Sequence, residues 1–115
     1  MAKEIFQFED LIYDVDGLKE LVKTSGLRYG PHNVPINENM KHGISGYVEP
    51  DLTVIKQMTA QRRDEPIIVV ELGNGMVRIV DGYHRIQRRV EDGLHDVWQY
   101  TVPYKVALPY IDKIA

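Results

Sequence analysis

One stretch of the chain, IVDGYHRIQRRVEDG at residues 79–93, combines residue types and a spacing that suit the binding of an anion. The end of an apolar strand, a glycine turn and the first turn of a helix follow one another, with His84 and Arg85 in that first turn. A helix N-terminus carries unpaired backbone N–H groups and a partial positive charge, and Gly82 allows a ligand to approach that backbone. A guanidinium fork and an imidazole donor at such a terminus suit a phosphate group. The stretch therefore predicts a phosphate-binding helix start formed by Gly82, His84 and Arg85.

The same residues have structural interpretations as well. Asp81 is either the N-cap of the helix or a ligand of a Mg²⁺ ion that bridges phosphates. Arg88 lies three residues after Arg85 and extends the phosphate site if both line one face. With the acidic residues that follow it, Arg88 instead belongs to a solvated helix face of opposite charges. His84 and Arg85 would then be ordinary exposed residues.

The elements that must position this stretch follow from apolar periodicity and turn residues. Leu11, Val15, Leu18 and Val22 recur at helical spacing. Asn74-Gly75 predicts a two-residue hairpin turn with positive φ at both positions. The first half of the chain is predicted to form a helix over 9–25, then a long loop and candidate lid over 26–47 with a short extended piece at 34–36, and then a helix from about 50 to 62 or 63. The second half is predicted to form strands over 67–72 and 76–80, a helix that ends at Gly93, and extended segments over 97–102 and 104–108. This order predicts an α+β fold with a small mixed sheet and packed helices.

Composition and charge narrow the classes of function. The 14 Lys and Arg against 17 Asp and Glu give a net charge of -3, which argues against a general attraction to DNA. The arginines are clustered, however, with one pair at 62 and 63 and a second group at 85, 88 and 89, so two local anion sites are expected at most. The absence of cysteine excludes disulfides, thiolate catalysis and Cys-ligated metals. The first ten residues contain no long apolar run, and we expect a cytoplasmic protein without a membrane segment.

The string Asp81-Gly82-Tyr83-His84-Arg85 resembles the helix-opening signature of the ParB/sulfiredoxin superfamily. That signature reads G-E-R-R-x-R-A in chromosome-partition proteins, G-C-H-R in sulfiredoxins and D-G-H-H-R in free serine kinases. The flanking pattern is also similar, with VPIN at 34–37, a helix at 50–62 and the apolar strand after Pro66. The resemblance covers roughly residues 34–103 and implies a ParB/sulfiredoxin-like domain over 34–115, preceded by an N-terminal helical extension over 1–33.

The resemblance implies a nucleotide site, with two departures. In that superfamily the signature helix binds the phosphates of ATP or CTP, which implies Gly82, His84 and Arg85 as the phosphate contacts here. The reducing cysteine of sulfiredoxins falls at Tyr83, so reduction of a sulfinic acid is not expected. Partition proteins have a second arginine where this chain has Gln87, and they continue into a DNA-reading domain for which no residues remain. The acidic catalytic residue of the serine kinases corresponds to Glu49, which is otherwise an acid at a helix N-terminus.

The leading hypothesis is therefore a ParB-like domain that binds ATP or CTP, with Mg²⁺ as a candidate second cofactor. As an enzyme it would be a phosphotransferase or a nucleotide hydrolase. Arg85 and the backbone N–H groups would then neutralise phosphoryl charge, with Arg88 as an extension of the phosphate site, and His84 would donate to a phosphate oxygen. Asp81 would orient the metal, and Glu49 would position the attacking hydroxyl or water.

Two other classes of function stay open. The first is a nucleic-acid-binding module or ParB-like nuclease, with a basic face formed by the arginines at 62, 63, 85, 88 and 89. The second is a non-catalytic interaction protein that contacts a protein partner, or a second copy in a homodimer, through C-terminal aromatic residues. These aromatics are Trp98, Tyr100, Tyr104 and Tyr110, and at period two in a strand they are also compatible with a core.

Overall fold

A computed structural model describes residues 4–41 and 51–113 of the chain. Within these residues the elements follow one another as β1 (Ile5–Phe8), β2 (Leu11–Asp14), α1 (Val15–Thr24), β3 (His32–Pro35), α2 (Glu38–Lys41), α3 (Leu52–Gln57), α4 (Ala60–Arg63), β4 (Ile67–Glu71), β5 (Val77–Asp81), α5 (Tyr83–Glu91), β6 (Asp96–Val102), α6 (Tyr104–Ala107), a 3₁₀ turn (Leu108–Tyr110) and β7 (Ile111–Lys113).

A four-stranded sheet with the order β3-β6-β4-β5 carries the site region. The pairs β3/β6 and β4/β5 are antiparallel, and β4/β6 is parallel. The predicted α+β class and mixed sheet are therefore confirmed. Strand β4 is buried from Ile67 to Val70 because its alternate side chains pack into apolar clusters on both faces of the sheet.

A second, three-stranded antiparallel sheet with the order β1-β2-β7 corrects the expectation of one helix over residues 9–25. Leu11–Asp14 is a strand, and the helix begins only at Val15. The carboxylate of Asp14 caps it by accepting from the N–H of Gly17 at 2.9 Å. Strand β2 is held on one side by β7, more than ninety residues away in sequence, which local periodicity does not show.

The first residues of the chain share a core with the four-stranded sheet. Tyr13, Leu18 and Val22 are buried in one cluster with Ile68 and Val102. The division into an extension over 1–33 and a domain over 34–115 stays a prediction. In the structure the two parts pack on a common apolar core.

Several predicted elements have different bounds. The helix expected to run from about 50 to 63 is two short helices, because Met58 is extended and Thr59 starts α4 as its cap. Residues 104–107 form α6 rather than a strand, since the carbonyl of Pro103 accepts from two following N–H groups at 3.0 Å. The hairpin between β4 and β5 has positive φ at Gly73 and Gly75 rather than at Asn74 and Gly75. Within the expected loop over 26–47, residues 32–35 form β3 and residues 38–41 form α2, and residues 42–47 lie outside the described residues.

Candidate functional site

A cavity of about 370 Å³ opens at the N-terminus of α5. We call it the α5 cavity, and it is lined by Glu4, Val54, Gln57, Met58, Arg62, Asp81, Gly82, Tyr83, His84 and Arg85. The structure thus brings together four of the residues predicted from the sequence, at positions 81, 82, 84 and 85. Its size lies in the range of sites that bind small organic ligands.

The start of α5 has no side-chain cap. Gly82 is its N-cap residue, with φ of 110° and no side chain to accept from the first-turn N–H groups. The alternative that Asp81 caps the helix is therefore wrong. By contrast, Asp14 caps α1 and Asp51 caps α3 through their carboxylates. The α5 terminus keeps its backbone donors and partial positive charge directed at the cavity.

Packing against the sheet explains the glycine at position 82. A Cβ atom built on Gly82 would lie 2.4 Å from Cγ2 of Ile67, a buried side chain of β4, and its φ is one that other residues rarely adopt. The glycine is thus required even without a ligand.

Arg85 is a buried residue rather than an exposed one. Its Nη2 donates to the carbonyl of Pro66 at 2.9 Å and to Oδ2 of Asp81 at 3.0 Å, and only 3% of the residue is exposed. Its Nε is buried and has no partner among the described residues. Arg85 therefore ties the first turn of α5 to the start of β4 and the end of β5. Arg85 also lines the cavity, but its charge is paired with that of Asp81.

His84 joins α5 to α3. Its Nε2 accepts a hydrogen bond from the backbone N–H of Asp51 at 3.1 Å, which assigns the proton of a neutral ring to Nδ1. Tyr83 packs edge-on against this imidazole, with ring centroids 5.9 Å apart. The donor that His84 retains for a ligand is thus its Nδ1–H.

Arg88 lies outside the lining of the α5 cavity. Its Nη1 donates to the carbonyls of Ile55 at 2.7 Å and Lys56 at 3.2 Å, and its Nε donates to Asp92 at 2.9 Å. Arg88 therefore satisfies carbonyls at the C-terminal end of α3. Gln87, the departure from the family pattern, donates to the carbonyl of Lys41 at the end of α2.

A network of ion pairs holds α4, α5 and β6 together. Arg89, which is 7% exposed, donates to Asp64 at 2.8 Å and to Asp96 at 3.2 Å. The hydrogen bonds from Arg63, and then the charges of Arg63 and Arg89, lower the pKa of Asp64. Its contacts with Asp64 and Asp92 in turn raise the pKa of Arg63.

Two further carboxylates of this network are held ionised in the same way. Hydrogen bonds from Arg88 and then Arg63 lower the pKa of Asp92. Those from Asn33 and then Arg89 lower the pKa of Asp96. The network is thus a set of structural charge pairs rather than an open basic surface.

The predicted Mg²⁺ ligand, Asp81, lies at the α5 cavity. Glu49 lies outside the described residues. Within 4–41 and 51–113, no group of three or more His, Asp or Glu side chains is placed to hold a metal ion. The two carboxylates that line the α5 cavity are both paired, Asp81 with Arg85 and Glu4 with Lys19. These residues do not fit a dedicated Mg²⁺ site, which needs free carboxylate oxygens.

Some cavity residues were not predicted to belong to the phosphate site. Arg62 lines the cavity and pairs with Glu65, but the sequence placed it only in a separate anion site and in the basic face. Val54 and Met58 add apolar surface, but their spacing indicated only a helix face. The C-terminal aromatics do not form one strand face, since Tyr104 lies in α6 and Tyr110 in the 3₁₀ turn.

Comparison with known proteins adds no family to this description. No protein-family model, curated protein or solved structure matches the chain. No helix in the part of the chain that the structure describes is long and apolar enough to span a membrane.

Proposed function

We propose that the chain is a ParB/sulfiredoxin-like domain that binds a nucleoside triphosphate, ATP or CTP, with its phosphates at the start of α5. The uncapped N-terminus of α5, which opens into the α5 cavity, carries this proposal. Backbone N–H groups in this arrangement bind phosphate oxygens directly.

The side chains around the terminus support the same ligand. Arg62 and the Nδ1–H of His84 provide donors at the cavity, and the Arg85–Asp81 pair fixes the geometry of the turn beneath them. Val54, which is 44% exposed, and Met58 offer an apolar wall for a base or ribose. A ligand with several negative charges and an apolar end matches these donors and this apolar surface.

Reaction chemistry at this site would be phosphoryl transfer or hydrolysis of the nucleotide. In such a reaction Arg62 and the backbone N–H groups of α5 would stabilise charge on the phosphoryl oxygens, and His84 would donate from Nδ1. Glu49 remains the proposed residue for positioning the attacking group. A magnesium ion would be held mainly by the nucleotide phosphates, because the lining carboxylates are already paired.

A thermal-shift and calorimetric panel of ATP, CTP, GTP and ADP, with and without Mg²⁺, tests the proposal. A nucleotide at about 100 times its Kd should add about 2.7 kcal/mol to the free energy of unfolding. Arg62→Gln should weaken binding about tenfold or more, because it removes a charged donor to the phosphates. Arg28→Gln is the matched control, since Arg28 is exposed and outside the α5 cavity. The proposal fails if no nucleotide shifts the unfolding temperature, or if both variants bind as the wild type does.

A further inference from the structure

A second cavity, of about 300 Å³, lies beside the first and is lined partly by α1. We call it the α1 cavity. It shares Arg62, Asp81 and Arg85 with the α5 cavity, and it adds Lys19 and Lys23 from α1. Because three residues line both cavities, they are neighbours on either side of the Arg85–Asp81 pair.

The side chains that line the α1 cavity carry an excess of positive charge. Four cations line it, at positions 19, 23, 62 and 85, against the two carboxylates of Glu65 and Asp81. Glu4 pairs with Lys19 from outside this cavity and reduces the excess without removing it. A concave site with apolar walls concentrates such a field and attracts anions.

Two donors in this cavity lack acceptors within the described residues. Lys19, Arg62 and Arg85 each have a carboxylate partner. The side-chain ammonium of Lys23 makes no hydrogen bond or ion pair with any described residue. Nε of Arg85 is buried without an acceptor, which costs free energy unless a ligand or a water accepts from it. The exposed Lys23 ammonium is therefore free to donate to an oxyanion, whereas Nε of Arg85, which is closed to solvent, would need its side chain to shift first.

Apolar side chains also line the α1 cavity, which favours a ligand with an apolar part. Val22, Ile68 and Tyr100 add apolar surface to its lining. We propose that the α1 cavity binds a phosphate monoester with a small apolar group, independently of the nucleotide. A phosphate monoester carries about −1.5 to −2 charges at pH 7 and three acceptor oxygens, so it can accept from several donors of the lining at once, whereas a carboxylate has one charge and two oxygens. Helix α1 would thereby supply Lys23 as a binding residue.

Calorimetric titration with phenyl phosphate tests this inference, with benzoate as the monoanion of similar shape. Phenyl phosphate should bind the wild type more tightly than benzoate. Lys23→Gln should weaken its binding about tenfold, and Lys23→Arg should restore it, because a charged donor returns. Lys105→Gln is the matched control, since Lys105 is exposed and lies outside both cavities. Lys23 is itself exposed, so its substitution leaves the core unchanged.

Competition separates this site from the proposed nucleotide site. Phenyl phosphate should still bind in the presence of saturating nucleotide, although more weakly, because both ligands are anions near the shared Arg62, and its amide shift changes should centre on Val22 and Tyr100. Absence of binding at millimolar concentration overturns the inference, as does equal binding by Lys23→Gln or equal affinity for benzoate. Displacement by nucleotide also overturns it, because the ligand would then occupy the α5 cavity. The titrations with phenyl phosphate and benzoate and the Lys23→Gln variant use no nucleotide, so their outcomes do not depend on whether the nucleotide panel succeeds.

Discussion

Nε2 of His84 accepts a hydrogen bond from the backbone N–H of Asp51 at 3.1 Å, and this contact joins the start of α5 to the start of α3. The two helix N-termini are therefore coupled at the wall of the α5 cavity. Asp51 in turn caps α3 by accepting from the N–H groups of Thr53 and Val54. A residue selected as a phosphate donor thus also holds the neighbouring helix.

Removing that acceptor should loosen α3. His84→Leu is expected to lower the free energy of unfolding by about 0.5–1.5 kcal/mol, the contribution of one hydrogen bond. It should also speed hydrogen exchange at the amides of Asp51 and Thr53. His84→Gln, whose side-chain oxygen reaches a similar position, should retain most of the protection. If the amides of Asp51 and Thr53 exchange as slowly in His84→Leu as in the wild type, the contact does not hold α3.

The buried pair of Arg85 and Asp81 should dominate stability near the site. Arg85→Met leaves the Asp81 carboxylate, whose side chain is 8% exposed, without its cation. Breaking a buried pair by removing one partner costs about 3–5 kcal/mol. Urea unfolding measures this loss, and Asp81→Asn with Arg85→Met should recover part of it. A loss below about 1 kcal/mol would mean that the pair is solvated. Arg62 is therefore the better residue for testing nucleotide binding.

Gly82→Ala should be more destabilising than Gly93→Ala, although both glycines have positive φ. A Cβ at position 82 meets Ile67 at 2.4 Å, whereas nothing lies within 4 Å of a Cβ at position 93. The difference should be about 1–3 kcal/mol, the usual cost of overpacking a core. Thermal unfolding of the two variants measures it. Equal losses of stability in the two variants would mean that position 82 requires glycine for its backbone conformation alone.

Acid should weaken the fold through the ion-pair network around Arg89. The pKa values of Asp64, Asp92 and Asp96 are all lowered by their arginine and asparagine partners. Their stabilising contribution is therefore complete above the unfolded value of about 3.9 and is lost as the pH falls through the lower folded values. Urea unfolding from pH 7 to pH 2.5 should show this decline, and added salt should reduce it. Asp64→Asn should give a shallower profile, and an unchanged profile would contradict the assignment.

Binding to duplex DNA should be weak. Each arginine of the expected basic face has a carboxylate partner, through the pairs Arg62–Glu65, Arg63–Asp92, Arg85–Asp81, Arg88–Asp92 and Arg89–Asp96. Because these arginines are paired, the face they form carries little net positive charge, and its binding would release few counterions from DNA. Fluorescence anisotropy at about 50 mM salt should detect no binding. A steep dependence of affinity on salt would instead favour the nucleic-acid module.

The class of fold and the position of the candidate site could be predicted from local sequence. The apolar run at 67–70 is buried on both faces of the sheet, and Gly82 begins α5 as expected, because turn residues and periodicity act over a few neighbours. The strand at Leu11–Asp14 could not be predicted in this way. It pairs with β1, which lies next to it in sequence, and with β7 at the other end of the described chain, whereas the spacing of Leu11 and Val15 also fits a helix. The pairing with β7 leaves no local pattern that could decide between the two.

Residues 81–85 meet at the start of α5 because they are adjacent along the chain, and the sequence alone predicts this. The role of each of them depends on its contacts in the folded protein. The tertiary structure buried Arg85 against Asp81, turned Arg88 toward the carbonyls of α3, and made His84 an acceptor from Asp51. It also brought Lys23 of α1 to the neighbouring cavity. A buried charged side chain pairs with a polar group that packs beside it. Which group that is depends on contacts between residues distant in sequence.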